Sequence, residues 1–187
     1  MPKIVKDDEI YQAVIRVVSE RGYASATTKQ MADAADISEM TLFRKYENKA
    51  QLVKQAISFI VDQADFSNSA QYTGDLQADL LRVVKAYQNS AVKHGDFVTA
   101  LIPEMSRHPE LIDSVGAPMN VFRSIGKLIK RYQEEGELKQ EPELIAVGVL
   151  LGPLMYAAML QKAIPENLLP PLEVENHIAG FLYGRAK

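Results

Sequence analysis

Residues 39–45 of this 187-residue chain read Glu-Met-Thr-Leu-Phe-Arg-Lys, and their spacing sorts them onto two faces of one short helix. Leu42 and Tyr46 are four apart, so they stack on one side at 3.6 residues per turn and point inward with Met31 and Ile37. The opposite side carries Met40 and Arg44, flanked by Thr41, Phe43 and Lys45. That mixture of cation, hydroxyl and exposed aromatic suits the edges of paired bases better than bulk water. In a major groove, Arg44 or Lys45 can bond guanine O6 and N7 and Met40 can touch a thymine methyl. Glu39 can accept from cytosine N4, and Thr41 can bond a phosphate.

Such a helix needs a brace, and the stretch from Thr27 to Lys49 supplies one. Thr27 or Thr28 can N-cap a first short helix, and Thr27 with Gln30 makes a capping box in which each side chain satisfies the other residue's backbone N–H. Ser38 caps the second helix. Between them, Ala35-Asp36-Ile37 leaves no room for another helical turn, so the chain reverses sharply, the outline of a helix-turn-helix reader of duplex DNA. Lys49, following the N-cap candidate Asn48, adds a cation at the positive end of the next helix, where backbone N–H groups hold phosphate.

At these residues the sequence resembles the TetR/AcrR family of bacterial one-component transcription regulators. The resemblance covers roughly residues 7 to 60 and follows a whole pattern. An amphipathic helix ends in Glu20-Arg21-Gly22-Tyr23, a Thr-rich start follows at Thr27-Thr28, and Met31-Ala32 precede the turn Ala35-Asp36-Ile37-Ser38. Thr41-Leu42-Phe43 then opens the recognition helix, with Tyr46 as the second aromatic and Lys49 opening helix four. By resemblance, Thr28, Thr41 and Lys49 hold phosphates while Glu39, Met40, Phe43 and Lys45 approach base edges; the helical wheel adds Arg44. The turn departs from the family in having Asp36 where Gly is usual, at a position that needs a left-handed backbone. Asp tolerates that better than most residues but less well than Gly. Met40 replaces a commonly small residue and Phe43 a commoner Tyr, so the phosphate bond expected from that hydroxyl is absent and the operator sequence does not transfer.

Composition fits this reading. With 47% hydrophobic and 7% aromatic content, the chain can bury one sizeable core or two smaller ones, and two are expected. Formal charge is −3, but residues 1–49 hold eight Lys/Arg against eight Asp/Glu, while residues 50–187 hold thirteen against sixteen. A neutral head argues against strong sequence-independent DNA binding, which needs a concentrated positive face. Lys3, Lys6, Lys29, Arg44, Lys45 and Lys49 must supply that face locally, whereas Asp7, Asp8 and Glu9 cap the first helix. The absence of cysteine excludes thiol redox sensing and thiolate metal sites. His94, His108 and His177 are scattered, with helix-end and turn roles beside Gly95 and Pro109 for the first two, so no metal is expected. No nucleophile elbow or phosphate loop is present, so neither an enzyme nor a cofactor is expected.

The N-terminus shows no cationic, apolar, cleavable signal, and a soluble cytoplasmic protein without membrane association is expected. The uncharged stretch Leu144 to Leu160 contains Gly148-x-x-x-Gly152. At 17 residues it sits at the lower limit for spanning a bilayer, and Pro153 interrupts its middle. It reads as a helix buried against its own domain and a partner subunit.

The fold class is all-α: an N-terminal three-helix head (residues 1–49) joined by a long fourth helix to a C-terminal helical bundle (residues 50–187). Periodicity predicts helices at about 8–21, 48–65, 75–93 and 96–107, the last kinked or divided at Pro103. A short helix from Pro109 and a longer one ending near Gly136 follow, with Pro118 interrupting, then helices at about 142–162 and 173–185. Residues 67–74 read as a loop and 163–172, with Pro165, Pro170 and Pro171, as a connection.

The resemblance also implies a homodimer and an effector. The last two long helices pack against their mates, and Val147, Leu150, Leu151, Leu154, Met155 and Ala158 with Ile178, Phe181 and Leu182 offer more apolar surface than one subunit's core needs. Such a dimer reads a palindromic double-stranded operator with half-sites about one DNA turn, ~34 Å, or a multiple apart. The body is expected to enclose an apolar pocket for an unidentified small molecule that releases the operator, repression being the family's commoner mode. Phe66, Tyr87, Phe97, Leu101, Met105, Met119, Phe122, Tyr156 and Met159 are its candidate lining, although core packing explains each of them as well. The competing reading is a helical small-molecule or protein-binding module of the same architecture that has lost DNA binding.

Overall fold

The computed structural model describes residues 5–165, 168 and 172–186; Lys3, Pro170 and Pro171 lie outside them. Among the described residues there is no strand, only a single antiparallel β-bridge between Leu138 and Ala186.

Helix α1 (Asp7–Ser25) starts with Asp7, Asp8 and Glu9, where the helix dipole favours acids, and buries Ile10, Ala13, Val14, Val17 and Val18 on one stripe. It outruns the expected end at Arg21 because helical geometry resumes after a break at Gly22 (φ +75°, ψ 158°), which carries Tyr23 into the core. That backbone region belongs essentially to glycine. A Cβ at Gly22 would meet no atom within 4 Å, so the strain of adding one is purely torsional. Gly22→Ala is expected to lower stability by about 1–3 kcal/mol, read as a drop in the urea midpoint at unchanged slope. An unmoved midpoint would show that the chain can relax out of this conformation at no cost.

Helices α2 (Thr28–Ala34), α3 (Glu39–Tyr46) and α4 (Lys49–Gln63) complete the head. Leu52, Val53, Ala56, Ile57 and Ile60 of α4 join the α1 stripe, Met31, Ala32, Leu42 and Tyr46 in one apolar cluster. Phe97, Leu101 and Leu111 belong to the same cluster. The chain therefore divides into Met1–Gln63 with Asp96–Pro118, and Ala64–Gly95 with Met119–Lys187. This differs from the expected division at residue 49, because a fourth helix and a returning segment are needed to close a core that three short helices leave open.

The second unit contains α5 (Phe66–Ser69), most of α6 (Leu76–Leu101), most of α7 (Gly116–Glu134), α8 (Glu143–Ala163) and α9 (Val174–Tyr183). Several expected breaks are absent. The residues read as a loop after position 66 contain the single turn of α5. Helix α6 continues through Gly95 and ends only at a 3₁₀ turn, Ile102–Glu104, that contains Pro103. Glycine inside a helix costs about 1 kcal/mol relative to alanine, and burial of His94, Phe97 and Leu101 in consecutive turns outweighs it. His94 is thus a mid-helix side chain, not a helix end, and burial followed by the Lys93 charge pushes its pKa down. Pro118 lies in the first turn of α7, where its missing N–H has no intrahelical partner to lose. Pro153 sits inside α8 without ending it; Ala146, Val147, Leu150, Leu151 and Leu154 are buried on both sides of the proline and hold the helix together.

One buried charge organises this unit. Asp79 is fully buried and accepts from the Thr73 backbone N–H (2.8 Å), the Thr73 hydroxyl (2.6 Å), the Tyr132 hydroxyl (2.6 Å) and Arg82 (2.9 Å). Burial by itself raises its pKa, but the donors from Thr73, Tyr132 and Arg82 outweigh that and hold it below the ordinary carboxylate value. A group of donors converging on one carboxylate fixes the 71–79 segment to α6 and α7.

Candidate nucleic-acid interface

The two short helices are built as their sequence requires. Thr27 accepts from the Gln30 N–H (3.2 Å) while the Gln30 side chain accepts from the Thr27 N–H (3.0 Å), a reciprocal capping box. Ser38 accepts from the Thr41 N–H at 3.1 Å and so caps α3. Asp36 adopts the left-handed conformation (φ +56°) in the turn between them. Arg16 donates to the Ala34 carbonyl (3.1 Å), fixing α1 to the end of α2. Glu47 (φ +61°) turns the chain again, and Asn48 accepts from the Gln51 N–H at 2.9 Å to cap α4.

With Leu42 and Tyr46 buried, α3 turns the rest of its surface outward. Met40 is 82% exposed and Phe43 44% exposed, large values for apolar side chains on a folded head. Arg44 and Lys29 are exposed as well.

The remaining candidates already have partners within the head. The Thr28 hydroxyl donates to Glu39 (2.5 Å), and the Ser38 and Thr41 hydroxyls share a 2.8 Å bond. Lys45 pairs with Asp7, and Lys49 donates to the Tyr23 carbonyl with its ammonium 4.1 Å from the Tyr23 ring centroid. Sequence spacing could not show these pairings, since Asp7 and Tyr23 lie on α1.

Lys49 is half-buried, and burial is the main cause of its lowered pKa, with Glu110 and Glu104 opposing. Its ammonium thus links the start of α4 to Tyr23 of α1. Lys49→Met, which keeps the stem, is expected to cost about 1–2 kcal/mol of stability and to leave the salt dependence of DNA binding nearly unchanged. A fall of about one in the salt slope would return the ammonium to the phosphates.

Beside Lys49 lies a polar hollow of about 430 Å³, lined by Tyr23, Asn48, Gln51, His108, Glu110 and Asp113 among others. His108 meets Glu110 at 3.0 Å and Glu104 at 3.4 Å and packs edge-on against Tyr23. Its role is to hold the 102–115 segment on the head, which the turn expected before Pro109 did not reveal.

Residues 10–56 match the model of the bacterial regulatory proteins, tetR family. Over these residues the chain is similar to that family. The uncharacterized HTH-type transcriptional regulator Mb1581 of Mycobacterium bovis is 30% identical over 108 residues, 58% of this chain and 52% of that one. The chain thus spans about half the length of this relative. The uncharacterized HTH-type transcriptional regulator YvkB of Bacillus subtilis is 27% identical over 144 residues, 76% of each chain. Among solved structures, a TetR family transcription regulator from Marinobacter aquaeolei is similar with a TM-score of 0.75 at 16% identity, covering 97% of this chain and 95% of the other. The fatty acid degradation regulator FadR from Bacillus halodurans gives 0.72 at 15%, covering 98% and 95%. At such identity these two show the fold alone.

In the second unit, a cleft of about 300 Å³ is lined by Tyr87, Met119, Phe122, Leu144, Val147, Gly148, Leu151, Gly152 and Met155. Only Tyr87, Met119 and Phe122 of the nine expected pocket residues line it. Phe97 and Leu101 are buried in the head cluster and Met105 packs against it, whereas Tyr156 and Met159 are exposed. Phe66 is buried and lies 6.4 Å, ring to ring, from Tyr87. The missed signal was the Gly148-x-x-x-Gly152 pair: neither position has an atom within 4 Å of a built Cβ, so the two glycines leave a hollow on α8.

The expected dimer residues need a parallel correction. Val147, Leu150, Leu151, Leu154, Ile178 and Phe181 are buried within the single chain, Ala158 and Leu182 are half-buried, and only Met155 is exposed. The apolar face left open on α8 runs instead through Ile145, Val149, Tyr156 and Met159. The window Glu143–Leu160 is the one described helix long and apolar enough to cross a membrane, and the single chain buries only 28% of it.

Proposed function

We propose that this chain is a cytoplasmic DNA-binding transcription regulator of the TetR family, a homodimeric repressor that reads a palindromic operator through α3 and releases it when a small apolar effector enters the body cleft. The observation that carries the reading is the two-faced α3, which buries Leu42 and Tyr46 and presents Met40, Phe43 and Arg44 outward behind two intact N-caps. Arg44 supplies the donor suited to a guanine edge, and the α3 caps orient it.

Dimerisation is supported by the open stripe on α8, since an apolar face of that length is stable in water only when covered. The effector reading is supported by the cleft, in which Tyr87 is the sole lining side chain with a hydroxyl. Burial raises the Tyr87 pKa further above neutrality, and no charged side chain lines the cleft, which suits an uncharged ligand. To release DNA, the ligand must bind one state better than the other; a coupling of about 1–3 kcal/mol changes operator affinity roughly 5- to 150-fold.

The pairing of Lys45 with Asp7 and of Lys49 with the Tyr23 carbonyl favours a second reading, a binding module that no longer engages DNA. Selection from random duplex DNA at near-physiological salt separates the two, with Arg44→Ala as control. Enrichment of a palindrome by the wild type and its loss in the variant supports the regulator. No enrichment, with or without candidate apolar ligands, leaves the module.

A further inference from the structure

The outward face of α3 is apolar at its centre. Met40 and Phe43 are three residues apart, hence neighbours on one side of the helix, and both are exposed. Four of the polar groups around them are engaged within the head, Glu39 with Thr28, Thr41 with Ser38, Lys45 with Asp7 and Lys49 with Tyr23, while Arg44 beside Phe43 is exposed. The head's own core closes beneath Leu42 and Tyr46 and uses neither Met40 nor Phe43. Two large apolar side chains are therefore held toward solvent at the middle of the helix that enters the groove.

Across the floor of the major groove, purine N7, O6 and N6, cytosine N4 and thymine O4 are all polar. The C5-methyl of thymine is the apolar group that a base edge presents there. Phe43 has no hydroxyl with which to reach a phosphate, and Met40 is flexible and polarizable enough to follow an uneven apolar surface.

We infer that Met40 and Phe43 are specificity-determining residues that seat on thymine C5-methyl groups in each half-site. The inference rests on the proposal that α3 reads DNA, and adds which feature of the bases it reads. Apolar burial adds to what Arg44 reads on a guanine edge, in keeping with a head whose Lys/Arg and Asp/Glu counts are equal over residues 1–49. Half-sites carry thymines on the strand facing α3, and affinity depends on their methyl groups.

The test uses the duplex selected by the wild-type protein, resynthesised with deoxyuridine replacing thymidine at the enriched positions. Uracil pairs as thymine does and lacks only the methyl. Wild-type affinity is expected to fall about four-fold per methyl removed, the change that burial of one methylene-sized group supplies. The Met40→Ala, Phe43→Ala double variant, altered only at exposed positions, is expected to bind both duplexes equally. Equal wild-type affinity for the two duplexes, or the same loss in wild type and variant, would overturn the inference while leaving the regulator reading intact. Failure of the wild type to enrich any site would overturn both.

Discussion

Asp79→Ala is expected to destabilise the body by about 2 kcal/mol at neutral pH, measured by urea unfolding. The variant strands the buried Tyr132 hydroxyl, which donates to Asp79, while the exposed Thr73, whose N–H and hydroxyl also donate to it, can turn to water. Arg82 is partly exposed and can return to water, so it adds little to the loss. The pH dependence follows from the lowered Asp79 pKa. The ionised carboxylate's contribution is complete above the ordinary value near 3.8 and disappears as pH falls through the lower folded-state value. Wild type and variant should therefore converge in stability as pH drops below the ordinary carboxylate range. A gap that stays constant across that range would assign the loss to packing rather than to the charge.

If the proposed dimer forms through the open face of α8, charge placed there is expected to abolish it and leave the subunit folded. Ile145 and Tyr156 are 57% and 63% exposed, so Ile145→Glu with Tyr156→Glu buries nothing in the single chain. Two-fold symmetry would bring each new carboxylate into the interface twice, at a cost of several kcal/mol, so association weakens roughly a thousand-fold or more. Sedimentation should show monomers whose helical circular dichroism matches wild type, and binding to a palindromic duplex should fall to the half-site level. Leu151→Glu is the contrasting case: that side chain is buried within the subunit and lines the cleft, so the variant is expected to unfold. Retention of a normal dimer by the Ile145, Tyr156 variant would remove this face from the interface.

The two-helix reader was legible in the sequence because its determinants are local. The capping box at Thr27 and Gln30, the cap at Ser38, the left-handed Asp36 and the inward pair Leu42 and Tyr46 each depend on residues within a few positions. Backbone hydrogen bonding and the helical period settle such features without reference to the rest of the chain. The burial of Phe97 and Leu101 in the head depended instead on where the segment that starts at Asp96 returned, and composition there suits a pocket and a core equally. Likewise, α8 is apolar on every side, so periodicity could not choose its inner face.

What the sequence determined by itself was the all-helical class, the capped reader and the outward Met40, Phe43 and Arg44. Tertiary structure alone decided which cations remain available, since Lys45 and Lys49 find their partners on α1. It also decided which stripe of α8 faces the core, which opens to a cleft and which is left uncovered. The physical reason is range: a helix and its caps close within one or two turns, whereas charge pairing and apolar burial depend on neighbours that only the folded chain brings together.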